Sequence, residues 1–307
     1  MKFILILFIL SLFRLSSLSA MSSSKLSIHT GWGQASENVV NQGKPRLIKF
    51  LDNFEAAQQV KNTVPGIVTV GRIYLANQPQ DGDPTSQANT WWSQVSSTIL
   101  QYPAIDYWEG YNEPSVGSQQ DLSWLSQFEI ARINILASNG RNASLFNFAV
   151  GTPDETNPTL MAAMIPAIQH GLKNGAILGL HEYSAPFMNN TYSGSDCGGS
   201  GWLTGRYRKL YNQFLLPKGL NIPLVISETG IDCGTCAVSK QCSCSGGWLS
   251  LNYSPSQYFT MLEWYDRVLR CDTYVIGCTI FQLDIPNWAS FDITQIVPNL
   301  IGYLQSN

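Results

Sequence analysis

The sequence predicts a single (β/α)8 barrel, and three observations carry that expectation. Short apolar runs alternate with amphipathic stretches eight times, a pattern that implies a parallel sheet with right-handed crossovers. The 307 residues suit one large α/β barrel, a fold of roughly 250 residues, once a leader is set aside. No G-x-G-x-x-G follows the first strand, so an open, dinucleotide-binding sheet lacks its fingerprint.

The elements follow in order. A first strand over 25–29 runs into Thr30-Gly-Trp-Gly33. A second covers 46–51, and the helix after it covers 54–64, closed by Pro65. The third strand is 67–75, followed by a Pro/Asp/Gly loop and a helix over 89–101. The fourth is 106–111, with a long helix over 121–138. The fifth is 145–150, and its helix carries Leu160, Met161, Met164, Ile165, Ile168 and Leu172 as one buried stripe. A sixth strand at 176–180 precedes a helix over 203–216, and a seventh at 223–226 precedes a helix over 255–270. The eighth is 274–281, with a last helix over 293–304. No internal repeat beyond this alternation divides the chain, so 21–307 reads as one domain.

Residues 1–20 read as a secretory signal. Lys2 opens a short positive region, 3–13 is apolar apart from Ser11, and small residues lead to Ala20. The run is too short for a comfortable membrane span, and no later run is long enough, so a soluble, exported, monomeric protein is expected. Asn142-Ala-Ser144, Asn189-Asn-Thr191 and Asn252-Tyr-Ser254 are sequons in or beside expected loops, consistent with that route.

Composition narrows the partners. Charged residues make up 13%, about half the usual fraction, while hydrophobic residues reach 44% with 9 Trp, 13 Tyr and 13 Phe. Disorder needs high charge and low hydrophobicity, and a nucleic-acid coat needs a basic excess; the net charge is −3. Seven cysteines remain: Cys197, Cys233, Cys236, Cys242, Cys244, Cys271 and Cys278. A redox pair or a zinc site can be drawn through Cys233–Cys244. In an oxidising compartment the expected use is disulfides pinning a Gly/Ser-rich loop, with one cysteine left over.

In such a barrel, chemistry sits at the carboxyl ends of the strands. The fourth strand ends Tyr107-Trp-Glu-Gly-Tyr-Asn-Glu-Pro114 and the seventh ends Leu224-Val-Ile-Ser-Glu-Thr-Gly230. Each places a glutamate, Glu113 or Glu228, just past an apolar run. Two carboxyl groups in one cleft match glycoside hydrolysis, where one protonates the leaving oxygen and the other attacks or activates water. There is no G-x-S-x-G and no H-E-x-x-H, and the three histidines are dispersed. The scheme requires no metal or organic cofactor.

Asn112-Glu113-Pro114 closing strand four, paired with Glu228 closing strand seven, resembles glycoside hydrolase clan A, the retaining (β/α)8 glycosidases. The resemblance implies Glu113 as acid/base, Glu228 as nucleophile and Asn112 as the ligand of the sugar 2-hydroxyl. Clan members often place a His or Tyr after strand six, so His181 or Tyr183 is expected beside Glu228, while strand alternation turns Glu182 away. Arg72 either balances charge in the cleft or pairs with Glu109. Clan members often end strand eight with a Trp under the reacting sugar; here Phe281 or the later Trp288 stands in its place. Trp32 and Tyr111 are further aromatic candidates for a sugar face, with core packing as their other reading.

The compact layout and the His/Tyr pair on strand six also resemble fungal endo-β-1,3-glucanases. The expectation is therefore a secreted β-glucanase acting on a neutral polysaccharide or oligosaccharide. Mannanase, xylanase or cellulase activity, or a carbohydrate-binding protein on an inactive barrel, are the alternatives.

Overall fold

The structure is a computed structural model that describes residues 21–240 and 242–307; the expected signal, 1–20, lies outside the described residues. Eight parallel strands close on themselves in chain order. They are β1 (Leu26–Thr30), β2 (Leu47–Leu51), β3 (Val68–Arg72), β4 (Tyr107–Glu109), β5 (Asn142–Phe148), β6 (Ile177–Ser184), β7 (Leu224–Ile231) and β8 (Val275–Leu283). β8 pairs back onto β1, so the sheet has no edge. β6 and β7 run several residues beyond the lengths expected, because the polar groups after their apolar runs stay paired in the ladder.

The outer layer is less regular than the strands. α1 (Gln34–Asn38), continued by a wider π turn at Val39–Gly43, fills the first crossover, where no apolar stripe had marked a helix. α2 (Ala57–Thr63) is brief. α3 (Pro84–Gln101) starts earlier than the hydrophobic pattern, because the Asp83 side chain accepts from Ser86 N–H and Pro84 suits the first turn. α4 (Gln119–Ser138) opens on a capping box between Ser118 and Asp121. The expected fifth helix is split into α5 (Pro158–Ala162) and α6 (Ile165–Lys173); Pro166 cannot donate to the preceding turn.

After β6 the expected helix shrinks to α7 (Tyr207–Lys209), followed by a π turn at Leu210–Leu215. α8 (Cys236–Ser239) lies in the cysteine loop. α9 (Pro255–Arg270) carries a Ser254/Gln257 capping box, and α10 (Val297–Ser306) closes the fold. Among the described residues no helix is long and apolar enough to cross a membrane.

Burial follows the period of two along each strand. The main apolar core lies between strands and helices and includes Ile48, Phe50, Leu178, Leu224 and Ile280. Inside the barrel, Leu47, Val70, Ile177 and Val225 form a separate apolar plug. Two residues further along β2, Lys49 follows Leu47 on the same face, and on β3 Arg72 follows Val70. The plug therefore carries a charged layer directly above it, at the carboxyl end of the strands.

Six cysteines form disulfides: Cys197–Cys271, Cys233–Cys244 and Cys236–Cys242. Cys278 is free and buried. The Cys233–Cys244 loop is thus pinned by two crosslinks, which removes the redox-pair and zinc readings of those thiols. The asparagines of the three sequons are exposed.

Candidate active site

The strand registers bring the site together. His29 of β1 pairs with Lys49 of β2 on one side and with Phe281 of β8 on the other. Across β6 and β7, His181 stands level with Glu228. The ladder slips between Leu180 and His181, and again between Ile226 and Thr229 where β7 meets β8. Such irregularities re-aim side chains at barrel rims. They turn Glu228 into the barrel beside residues of four other strands, β1, β2, β3 and β6.

Glu228 is buried and heavily partnered. Its Oε1 accepts from Lys49 Nζ at 3.0 Å and from Arg72 Nη1 at 3.0 Å, and its Oε2 accepts from the Tyr183 hydroxyl at 2.9 Å. His29 Nδ1 lies 3.6 Å from Oε1 and His181 Nδ1 3.5 Å from Oε2. Burial by itself raises a carboxyl's proton affinity, but His181, Lys49, His29 and Arg72 together outweigh it and hold Glu228 well below the usual carboxylate range. Burial, then Lys49, pushes His29 well below an ordinary imidazole, so its ring is neutral near pH 7. Lys49 and Arg72 are the lysine and arginine in direct contact with Glu228.

Glu113 lies opposite, with its side chain 39% exposed against 7% for Glu228. Its backbone is left-handed, at φ 48°, an uncommon conformation for a residue with a side chain. The Glu113 N–H donates to Asn147 O at 3.1 Å, which anchors this turn to β5. Its Oε1 meets His181 Nδ1 at 2.8 Å. Glu113, His181 and Glu228 present ligand atoms all within 4.8 Å of one another. Gln78 clamps the preceding residue, accepting from Asn112 N–H at 2.5 Å and donating to Asn112 O at 3.2 Å. Asn112 Oδ1 is buried without a protein partner.

Arg72, Asn112, Glu113, Tyr183, Glu228 and Phe281 line one cavity of about 170 Å³, with Trp288 and Phe291 at its side; His181 does not border it. Burial pushes the Tyr183 hydroxyl well above its ordinary value, and Glu228 and Glu113 add to the shift, so it stays a proton donor. Phe281 packs edge-on against Tyr183, Phe291 and Trp288, and Trp288 is half exposed.

Other candidates lie elsewhere. Tyr111 is buried and stacks on Phe128 at 4.5 Å, outside the acidic cavity, because the chain after β4 turns its ring toward α4. This packing matches the second of its two readings, and Tyr111 does not border the acidic cavity. Trp32 is half-buried, packs on Phe50 at 5.8 Å and does not border the cavity. Glu182 faces outward as alternation requires, accepting from Gly205 N–H, Tyr207 N–H and the Tyr265 hydroxyl. Arg72 pairs with Glu228; the cation against Glu109 is Lys49, at 2.9 Å.

Lys49 and His29 escaped the sequence reading. Lys49 sits mid-strand in an apolar run, and His29, last in the expected first strand, has no neighbouring motif to mark it. The available signal was an uncompensated lysine two residues after an inward-facing Leu47, since a buried lysine needs an acidic partner.

The fold is widely shared. The chain superposes on Ruminococcus gnavus beta-glucuronidase with a TM-score of 0.56 and 11% identity, covering 92% of this chain and 50% of that one. A GH2 beta-galacturonidase from Eisenbergiella tayi gives 0.54 and 10%, covering 93% and 51%. This chain thus spans about half the length of those structures. For ZgEngAGH5_4 the values are 0.52 and 11%, with 92% of this chain and 96% of that chain covered. No curated protein sequence matches significantly. The family model described as Cellulase (glycosyl hydrolase family 5) matches residues 69–264, well over half of the sequence, and the chain belongs to that family.

Proposed function

We propose that this chain is a secreted retaining glycoside hydrolase that cleaves a β-glucan by double displacement. One observation carries the reading: oxygens of Glu113 and Glu228 approach within 4.8 Å across a cavity open to solvent. Inverting enzymes hold their carboxyl groups about 6.5–9.5 Å apart to admit a water, whereas retaining ones use about 5–5.5 Å. Membership of a family described as cellulase supports the glucan class.

In the first step Glu228 attacks the anomeric carbon while Glu113 gives its proton to the leaving oxygen, breaking the glycosidic bond. Oε2 is the attacking atom, since Oε1 is taken by Lys49 and Arg72 and Oε2 faces the side of Glu113. In the second step Glu113 takes a proton from water, the water oxygen bonds to the anomeric carbon, and Glu228 leaves as carboxylate. The product keeps its β configuration. Asn112 supplies the 2-hydroxyl contact, which its unpartnered buried Oδ1 supports, and Phe281 with Trp288 forms the apolar wall of the reacting subsite. The disulfides and exposed sequons support export.

A panel of β-1,3- and β-1,4-linked polysaccharides with reducing-end detection tests the proposal on wild type and Glu228→Gln. Wild type should release β-anomers first, seen by proton NMR, and the variant should be inactive. Full activity of Glu228→Gln, or α-anomers as first product, would overturn the mechanism. Tight oligosaccharide binding with no hydrolysis of any polymer would leave an inactive binding barrel.

A further inference from the structure

Two loops meet at an aromatic pair that does not border the acidic cavity. Phe187, after β6, is 46% exposed, and its ring lies 6.2 Å from that of Tyr253, just before α9. The Tyr253 hydroxyl donates to Pro186 O at 3.0 Å and ties the two loops together. Phe187 stands two residues before Asn189 of the Asn189-Asn-Thr191 sequon, and Tyr253 is the middle residue of Asn252-Tyr-Ser254. We infer that Asn189 carries an N-linked oligosaccharide whose first N-acetylglucosamine packs on the Phe187 ring. The inference goes beyond the catalytic reading and depends on export alone.

Alternating burial turns ring and attachment point the same way. Phe187 and Asn189 are exposed, whereas Met188 and Asn190 are buried. The Asn190 N–H donates to Phe187 O at 3.0 Å, which closes one tight turn over 187–190. A sugar on Asn189 therefore starts within a single turn of the ring. An apolar ring left in water gains by being covered, and aromatic faces suit the C–H faces of sugars.

The other two sequon asparagines have structural uses. Asn142 Nδ2 donates to Asp106 O at 3.2 Å, and Asn252 takes the left-handed conformation, φ 54°, that caps the turn Trp248–Leu251. Asn189 has neither: its φ is not positive, and its side chain makes no hydrogen bond among the described residues. Thr191 is left-handed at φ 67°, rare for a β-branched residue, while its Oγ1 accepts from Trp202 N–H at 3.3 Å and Leu203 N–H at 3.2 Å. Asparagine also carries an acceptor and suits that backbone better, but only Thr or Ser completes the sequon. Because folding engages the Thr191 hydroxyl, transfer precedes folding. In that step Asn189 Nδ2 bonds to the anomeric carbon of a lipid-pyrophosphate-linked oligosaccharide. The carbon–oxygen bond to pyrophosphate breaks, the lipid pyrophosphate leaves, and Nδ2 gives one proton to a base of the transferase.

The full chain, expressed with residues 1–20 in a eukaryotic secretory host, tests both parts. Mass spectrometry of the secreted protein should find Asn189 occupied, read as its conversion to aspartate on enzymatic release of the glycan. Melting temperatures are then compared after an endoglycosidase has trimmed every glycan to one N-acetylglucosamine. Asn189→Gln should melt about 2–4 °C lower than wild type, the shift of one modest contact in a domain near this length. Phe187→Ala should melt lower as well, and Asn189→Gln should cost nothing further in that background. Phe187→Tyr, which keeps the ring, should retain the dependence on Asn189. An empty Asn189 in secreted protein, or a chain that is never exported, would overturn the site. Equal melting of wild type and Asn189→Gln, or shifts from Asn189→Gln and Phe187→Ala that simply add, would overturn the packing.

Discussion

Lys49 Nζ lies 3.0 Å from Glu228 Oε1 and 2.9 Å from Glu109 Oε2, and the lysine side chain has no solvent exposure. A single cation thus bridges two carboxylates on strands β4 and β7 from inside the barrel, and Arg72 supplies a second cation to Glu228. Glu109 fixes the lysine from below the site, and the lysine in turn fixes one oxygen of Glu228. Because all three groups are buried, this contact is weakly screened by salt and strongly dependent on geometry.

Lys49→Met is expected to raise the proton affinity of Glu228 toward ordinary values. In wild type Glu228 stays ionised until pH falls well below the usual carboxylate range, so as the proposed nucleophile it should lose activity only below that point. The acid limb of kcat/KM should therefore move to higher pH in the variant, with the greatest loss on the acid side. Removing one partner of a buried pair also costs about 3–5 kcal/mol of stability, which thermal unfolding will read. A pH–rate profile that overlays the wild-type acid limb would remove Lys49 from the electrostatics of the nucleophile.

Tyr183→Phe removes the hydrogen bond to Glu228 Oε2 while keeping the ring that packs on Phe281. A hydrogen bond to a charged group is worth about 1.5–3 kcal/mol, so kcat/KM should fall about 10- to 100-fold. The melting temperature should change far less than in Lys49→Met. Unaltered steady-state kinetics would show that Tyr183 does not hold the attacking oxygen.

Glu182 links pH to folding rather than to catalysis. Burial pushes its carboxyl up to about 7, against the opposing bonds from Tyr265, Tyr207 and Gly205. The folded state therefore binds a proton that the unfolded chain releases near pH 4.5, and stability falls as pH rises from that value to about 7. Glu182→Gln cannot ionise. Its melting temperature should be lower at acid pH but flatter across this window, measured side by side with wild type. Parallel pH curves for the two proteins would rule the linkage out.

Cys197–Cys271 joins the loop after β6 to the end of α9 across 74 residues of sequence. Loop-closure entropy for that length predicts about 4 kcal/mol of stabilisation. The double variant Cys197→Ser/Cys271→Ser should melt at a clearly lower temperature. An unchanged melting temperature would mean that the unfolded chain is already constrained there.

Local pattern alone determined the eight strands, the outward turn of Glu182 between His181 and Tyr183, and the position of Glu113 and Glu228 just past the apolar runs of the fourth and seventh strands. These follow from a period of two and from apolar runs that stop at polar residues, both properties of neighbouring residues. Helix bounds were less legible where Pro166 split a continuous apolar stripe, because a stripe records burial and not backbone continuity. Tertiary structure decided the rest: which cation meets Glu228, which cysteines pair, and that Tyr111 faces α4. Those outcomes depend on inter-strand register, on the slips beside Leu180 and Ile226, and on barrel closure that brings β1 against β8. Residues far apart in sequence, such as Lys49 and Glu228, meet only once all eight strands have closed, and no local pattern encodes that distance.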